Sequence, residues 1–285
     1  MNDDYKDISS LSKDLQERVQ REEKQYGRGA APTDSLWDHL VRVSRLAERL
    51  GRAEGVDPMV CRLAGLFHDA GKFSQGRYHE DERAEEELSV EYLRELGGRH
   101  GLDSSLLDHA AGAILQLYRD DPEPAPVAGV LFDADNLDKL GPLGVACYFT
   151  KLGLRGRGVS GSSLHNLTVE LTYARHAPHC LSTESGRRLA RVRASATISF
   201  IHDLLNTLRD DGLYHFRVEE VCFEGFTVDV VTPDSCLCGG RLERTLWKEQ
   251  GFKCSEIHIR HTCAACGESQ KLKFCKPRLS SESSY

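Results

Sequence analysis

The chain has 285 residues, 40% of them hydrophobic and 28% charged, with a formal net charge of −7. That length and balance describe a globular protein with one large core, or a medium core and a small satellite, and exclude fibrous or disordered classes. No apolar run nears the roughly 20 residues that span a bilayer, and the polar start Met1-Asn-Asp-Asp-Tyr-Lys-Asp carries no secretory signal, so a cytoplasmic location without a membrane partner is expected.

Residues 1–32 are strongly charged, and their only apolar stripe is Leu11, Leu15 and Val19; the expectation is a peripheral arm with a short helix. Thr33 or Asp34 then caps a helix in which Leu36, Leu40, Val43, Leu46, Ala47 and Leu50 recur at helical spacing, with Gly51 as a stop. His39 lies on the same face as Val43 and Leu46. A second helix starts near Pro58 and runs through Val60, Leu63, Ala64 and Phe67 to the pair His68-Asp69, with Gly71 beyond. Further helices are expected over 80–97, over 104–118 and over 127–140, the last carrying Asp133, Asp135 and Asp138. The stretch 153–163 is a glycine- and serine-rich loop, and a long helix follows from about Glu184 to Leu208. The pattern switches near Leu213: residues 216–231 alternate around Glu224-Gly225 as a β-hairpin, and strand-like runs continue to Phe274. The fold class is therefore mainly α, an all-helical bundle over 33–212, followed by a small β-rich segment over 213–279 and a disordered tail over 280–285.

Two imidazoles and two carboxylates, His39, His68, Asp69 and one of the Asp133/Asp135 pair, fall on separate helices that a bundle can bring together. A metal that activates water needs such ligands while positions stay open for water and substrate. Asp133 and Asp135 are about 200° apart on an ideal helix, so one of them points inward; Asp138 is placed to support the site from behind.

The segments carrying these residues are distinctive. His39, His68-Asp69-Ala-Gly-Lys72 and Asp135 resemble the signature of HD-domain metal-dependent phosphohydrolases. Asp133-Ala-Asp-Asn-Leu-Asp-Lys-Leu-Gly-Pro-Leu-Gly144 and Leu181-Ser-Thr-Glu-Ser-Gly-Arg-Arg-Leu-Ala190 are similar to the motifs of one bacterial HD subgroup. The resemblance covers roughly residues 34–212. It implies an all-helical HD bundle, His39, His68, Asp69 and Asp135 as metal ligands, and hydrolysis of a phosphate ester or anhydride of a nucleotide or related small molecule. One departure stands out: relatives carry a histidine where Ala113-Ile114-Leu-Gln is followed by Leu117, so one catalytic ion is expected rather than two. His79, Glu80, Lys72 and Asp138 are the candidates for proton transfer or substrate contact, and Lys72, Arg77 and Arg83 for phosphate binding. Mixed N/O ligation leaves manganese, iron, cobalt, nickel, zinc and magnesium open.

Six of the ten cysteines crowd between Cys236 and Cys275, which in a cytosolic chain reads as a metal site rather than a disulfide framework. Cys236-Leu-Cys238-Gly-Gly and Cys263-Ala-Ala-Cys266-Gly resemble a zinc ribbon, with four thiolates for a structural zinc; an iron–sulfur cluster or free thiols are the alternatives, and Cys254, Cys275, His258 and His261 are possible substitutes. Residues 232–279 hold nine lysines and arginines against five acids, so this segment is basic within an acidic chain. Contact with nucleic acid or a protein is the corresponding expectation, and two readings compete with the small-molecule hydrolase: a nuclease, and a nucleotide sensor without turnover. No P-loop or dinucleotide fingerprint is present.

Overall fold

The computed structural model describes residues 4–27, 35–77, 83–117, 124–154, 156–250 and 255–275. They divide into two compact units, Met1–Asp138 with Leu181–Gly186, and Lys139–Cys180 with Arg187–Tyr285.

The first unit is helical: α1 (Asp4–Tyr26), α2 (Ser35–Glu54), α3 (Pro58–Phe67), α4 (Glu85–Arg99), α5 (Ser104–Gln116) and α6 (Pro126–Asp138), with a 3₁₀ turn at Ser74–Gly76. Apolar residues three and four apart bury one stripe of each helix. Leu40, Val43 and Ala47 of α2 are fully buried, as are Cys61, Leu63, Ala64 and Phe67 of α3. Asp57 caps α3 by accepting from the backbone N–H of Met59 and Val60, and Pro58 occupies its first turn.

Two glycines set how closely α2 and α3 approach. A Cβ on Gly51 would lie 2.8 Å from Cys61 Sγ, and one on Gly65 would lie 2.7 Å from Ser44 Cα. Gly51 therefore does not end its helix as expected; α2 continues to Glu54, and Gly55 makes the turn at φ 69°. This tight crossing is what allows a histidine on α2 to face one at the end of α3.

The amino-terminal segment is not a peripheral arm. α1 is 23 residues long, and Ile8, Leu11, Leu15 and Val19 are at most 2% exposed. A line of four aliphatics, each contributing about 1.5–3 kcal/mol by burial, is sufficient to seat a highly charged helix. Its polar side is engaged too: the Arg18 guanidinium lies 3.4 Å over the Tyr92 ring, and Glu22 accepts from Tyr92 Oη at 2.9 Å. The Tyr26 ring stacks on Phe73, four residues after Asp69, at 4.8 Å.

The second unit holds α7 (Gly141–Leu154), the short α8 (Gly161–Leu164), α9 (Leu167–Cys180), most of α10 (Glu184–Asp210) and all the strands. Strands β1 (Phe216–Phe223) and β2 (Phe226–Pro233) form an antiparallel hairpin, and Glu224-Gly225 turn it with φ 47° and 73°, the two positive values that a type I′ turn requires. β3 (Leu242–Gln250), β4 (Ser255–Cys263) and β5 (Ser269–Cys275) form a separate antiparallel sheet in that order. The loop expected over 153–163 is broken by α8, with Ser160 and Ser163 forming a capping box.

The switch from helix to strand near residue 213 is real, but it is not where compactness changes. Leu164, Leu167, Leu171, Ile201, Leu205 and Leu208 share one buried cluster with Phe216 and Val231. A hairpin alone is marginal in water, and this one gains its stability by covering helices on the amino-terminal side of the expected boundary at 212. No helix among the described residues is long and apolar enough to cross a membrane.

Candidate metal centre

His39, His68, Asp69 and Asp135 come together within the first unit. His39 Nε2 is 3.2 Å from His68 Nε2 and 3.4 Å from Asp135 Oδ1. Asp135 Oδ1 is 3.8 Å from His68 Nε2, and Asp69 Oδ1 is 3.9 Å from it. His68 is 1% exposed and Asp135 2%, while the His39 side chain keeps 18%.

The opposite ring nitrogens fix the tautomers. His68 Nδ1 donates to the Gly65 carbonyl at 2.9 Å, and His39 Nδ1 donates to Asp138 Oδ2 at 2.9 Å. Each Nε2 is therefore left as a lone pair, and the two lone pairs face each other at contact distance. A cation must lie between them. A proton on His39 is one choice: burial opposes it, but Asp135 and Asp138 outweigh burial and raise the His39 pKa. Four donor atoms from four residues surround that point, more than one proton uses. Ligands about 2.1 Å from a shared ion lie about 3.0–3.4 Å apart, which the imidazole pair matches. The residues thus fit a divalent ion.

The supporting groups follow the same logic. Burial pushes the Asp138 carboxyl up, but hydrogen bonds from His39 and Arg42 dominate and hold it at about 2. Arg42, three residues beyond His39 on α2, grips Asp138 with Nε at 2.7 Å and Nη2 at 2.9 Å. Burial also opposes ionisation of Asp69; His68 and Lys72 overcome it and keep the carboxylate well below its usual range. Burial, aided by the neighbouring His39, pushes His68 down against the pull of Asp69 and Asp135. Lys72 Nζ lies 2.8 Å from Asp69 Oδ2. Sequence reasoning missed Arg42; the signal was an arginine one turn from the candidate histidine His39, facing the second acid of Asp-Asn-Leu-Asp138.

Asp133 is fully buried and has a different task. Its Oδ1 accepts from the Ser182 N–H at 2.7 Å, and its Oδ2 accepts from the Thr183 N–H at 2.8 Å and Thr183 Oγ1 at 2.6 Å. It ties α6 to the start of α10, so the two aspartates of Asp133-Ala-Asp135 divide into a staple and a site residue. Gly186 is needed beside it, since a Cβ there would lie 2.2 Å from Asp133 Oδ2.

Leu117 is 3% exposed in apolar packing at the end of α5 and offers no ligand atom. Arg83 pairs with Glu91 at 2.6 Å, and exposed Arg77 donates to Gln75. His79 and Glu80 lie outside the described residues.

In the second unit the four expected cysteines also converge. Cys236 and Cys266 Sγ are 3.7 Å apart, and Cys238 and Cys263 Sγ are 3.5 Å apart. The four form one group able to hold a metal ion. Backbone N–H groups of Cys266 and Ala265 lower the Cys263 thiol to about 6, and Gly240 leaves room, since a Cβ there would sit 2.6 Å from Cys263 Sγ. His261 is not part of this group; it packs on His165, with Nδ1 and Nε2 of the two rings 3.4 Å apart. Cys254 lies outside the described residues, as does the Cys275 side chain.

Residues 36–140 match the family model of the HD domain, and this stretch is an HD domain. The uncharacterised protein YpgQ of Bacillus subtilis (strain 168) is 26% identical over 174 residues, 59% of this chain and 82% of that protein. A crystal structure of Bacillus subtilis YpgQ in complex with ADP superposes with a TM-score of 0.51 at 23% identity, covering 70% of this chain and 96% of that one. The selenomethionine form of YpgQ gives 0.52 at 22% identity with the same coverage. The fold of the chain is thus that of the YpgQ structures, with the HD-domain match lying over residues 36–140.

Proposed function

We propose that this HD-domain chain is a phosphohydrolase that cleaves a phosphate ester or anhydride of a nucleotide or related small molecule. The observation that carries the reading is the pair of imidazole Nε2 lone pairs 3.2 Å apart, each fixed by a hydrogen bond at its other nitrogen. His39, His68, Asp69 and Asp135 are the proposed ligands of one divalent ion. A divalent ion held there supplies an acidified water and a Lewis acid for a phosphoryl oxygen.

The chain's own residues do the rest. Asp138, clamped by Arg42, keeps the proton on His39 Nδ1 and the ring in one orientation. Lys72 stands beside Asp69 with its ammonium ready to neutralise phosphoryl charge. Arg77, exposed on the same loop, is the second proposed phosphate contact. A nucleotide is favoured as substrate because YpgQ, of the same fold, has been crystallised with ADP. The cysteine quartet is proposed to hold a structural zinc, which clamps the turn before β3 to the turn between β4 and β5.

Metal-reconstituted protein is assayed against nucleotides, generic phosphodiesters and labelled DNA and RNA, beside His68→Ala and Asp69→Ala. Metal-dependent release of phosphate from a nucleotide, lost in both variants, is expected. Turnover only of nucleic acid would replace this reading with a nuclease, and turnover unchanged in the variants would remove the proposed site.

A further inference from the structure

A second cluster of ligand-type side chains lies on the face of the β3–β4–β5 sheet opposite the one that packs Ile257, Ile259 and Leu272 into an apolar cluster. Glu249 on β3 stands directly across from Glu256 on β4, and His258 follows two residues later on the same face. Like charges directly opposed across an antiparallel pair destabilise it, so this pairing calls for positive charge beside it.

Both carboxylates are oriented from outside. Trp247 Nε1 donates to Glu249 Oε1 at 2.7 Å, and Lys273 Nζ donates to Glu256 Oε1 at 2.9 Å. The other oxygen of each turns toward one atom: His258 Nε2 is 3.1 Å from Glu249 Oε2 and 3.3 Å from Glu256 Oε2. His258 is 2% exposed, with Trp247 stacked on its ring at 5.0 Å and 11°, yet among the described residues neither ring nitrogen finds a hydrogen-bond partner in good geometry. The carboxylate oxygens lie off the direction in which a ring N–H would point. Ligands of one ion stand off each other's lone-pair axes in this way, and their separations of 3.1–3.3 Å match neighbours around a shared cation. Lys273 and, at longer range, Lys271 offset the two glutamates, but the buried His258 ring nitrogens gain no hydrogen bond from these groups, and a buried polar ring without a partner is costly.

We propose that Glu249, Glu256 and His258 form a binding site for a divalent transition-metal cation, zinc being the ion that best suits one imidazole and two carboxylates, which staples β3 to β4. The site is separate from the cysteine quartet and from the HD centre, and it does not depend on the hydrolase reading. Trp247 and Lys273 act as the outer partners that aim the ligands.

The test titrates zinc into the full chain purified with its tightly held metal. Wild-type protein takes up one equivalent more than the Glu249→Gln/Glu256→Gln double variant, whose side chains keep their size and whose circular dichroism stays that of wild type. In long-range ¹H–¹⁵N spectra, with His258→Gln identifying the resonance, the Nε2 signal of His258 moves to a metal-bound position as zinc is added. Cobalt(II) at this site gives d–d bands without thiolate charge transfer, and those bands vanish in the double variant. Equal zinc uptake by wild type and the double variant, or a His258 signal that ignores zinc and responds to pH alone, overturns the proposal in favour of an imidazolium–carboxylate ion pair.

Discussion

Replacing Asp138 by asparagine isolates the group that holds His39 without touching a proposed ligand. Asp138 accepts the His39 Nδ1 proton at 2.9 Å and two guanidinium hydrogens of Arg42 at 2.7 and 2.9 Å, and its side chain is 8% exposed. Asparagine keeps the shape but carries no charge, and its amide NH₂ must face either Arg42 or His39 Nδ1, donor against donor. Either orientation loosens the imidazole or inverts its tautomer. Loss of such an outer partner weakens metal binding by about 10–100-fold, or about 1.4–2.7 kcal/mol. Calorimetric titration of manganese or zinc into metal-stripped protein reads this directly, with nucleotide turnover falling in parallel. Asp133→Asn is the control: it loses hydrogen bonds to Ser182 and Thr183, so its folding stability drops by about 2–4 kcal/mol while metal affinity in the folded protein stays within a few-fold. Unchanged affinity in Asp138→Asn, or equal affinity losses in the two variants, refutes the division of labour between these aspartates.

Leu15→Ala, at a fully buried position of α1, lowers stability by about 2–4 kcal/mol in denaturant melts, whereas a peripheral arm would leave the midpoint unmoved. Gly240→Ala places a Cβ 2.6 Å from Cys263 Sγ, so plasma emission analysis finds one zinc fewer; full zinc content would show that the four thiols do not share an ion. Burial, then the neighbouring His165 ring, hold His261 at about 4, below its value of 6.5 when exposed. The unfolded chain therefore binds more protons in that window, and stability falls as pH drops from 6.5 toward 4. Thermal melts of wild type show this slope, and His261→Gln flattens it; equal slopes would contradict the assignment.

Much of the fold was legible because helical periodicity and caps are local. Pro58 after Asp57, the Glu224-Gly225 turn and the helix ending at His68-Asp69 all announce themselves in a few residues. The candidate metal centre was legible for a different reason: His39, His68-Asp69 and Asp135 occur together, in order, within segments that resemble the HD-domain signature. What escaped was set by pairings distant in sequence. The burial of α1 depends on what its thin stripe meets, Arg42 matters only because Asp138 arrives 96 residues later, and Gly51 reads as a stop until Cys61 is seen against it. The opposition of Glu249 and Glu256 exists only in the β3–β4 register, and the hairpin's attachment to α8–α10 is a matter of shared core rather than of pattern.

The most direct test is an anomalous-difference map from crystals of the full chain soaked in manganese and collected near the manganese edge. A single peak within bonding distance of His39 Nε2, His68 Nε2, Asp69 and Asp135 is expected, and none there in His68→Ala crystals. A well-ordered wild-type structure with no peak between the two imidazoles, or with a proton bridging them in the presence of saturating metal, would contradict it.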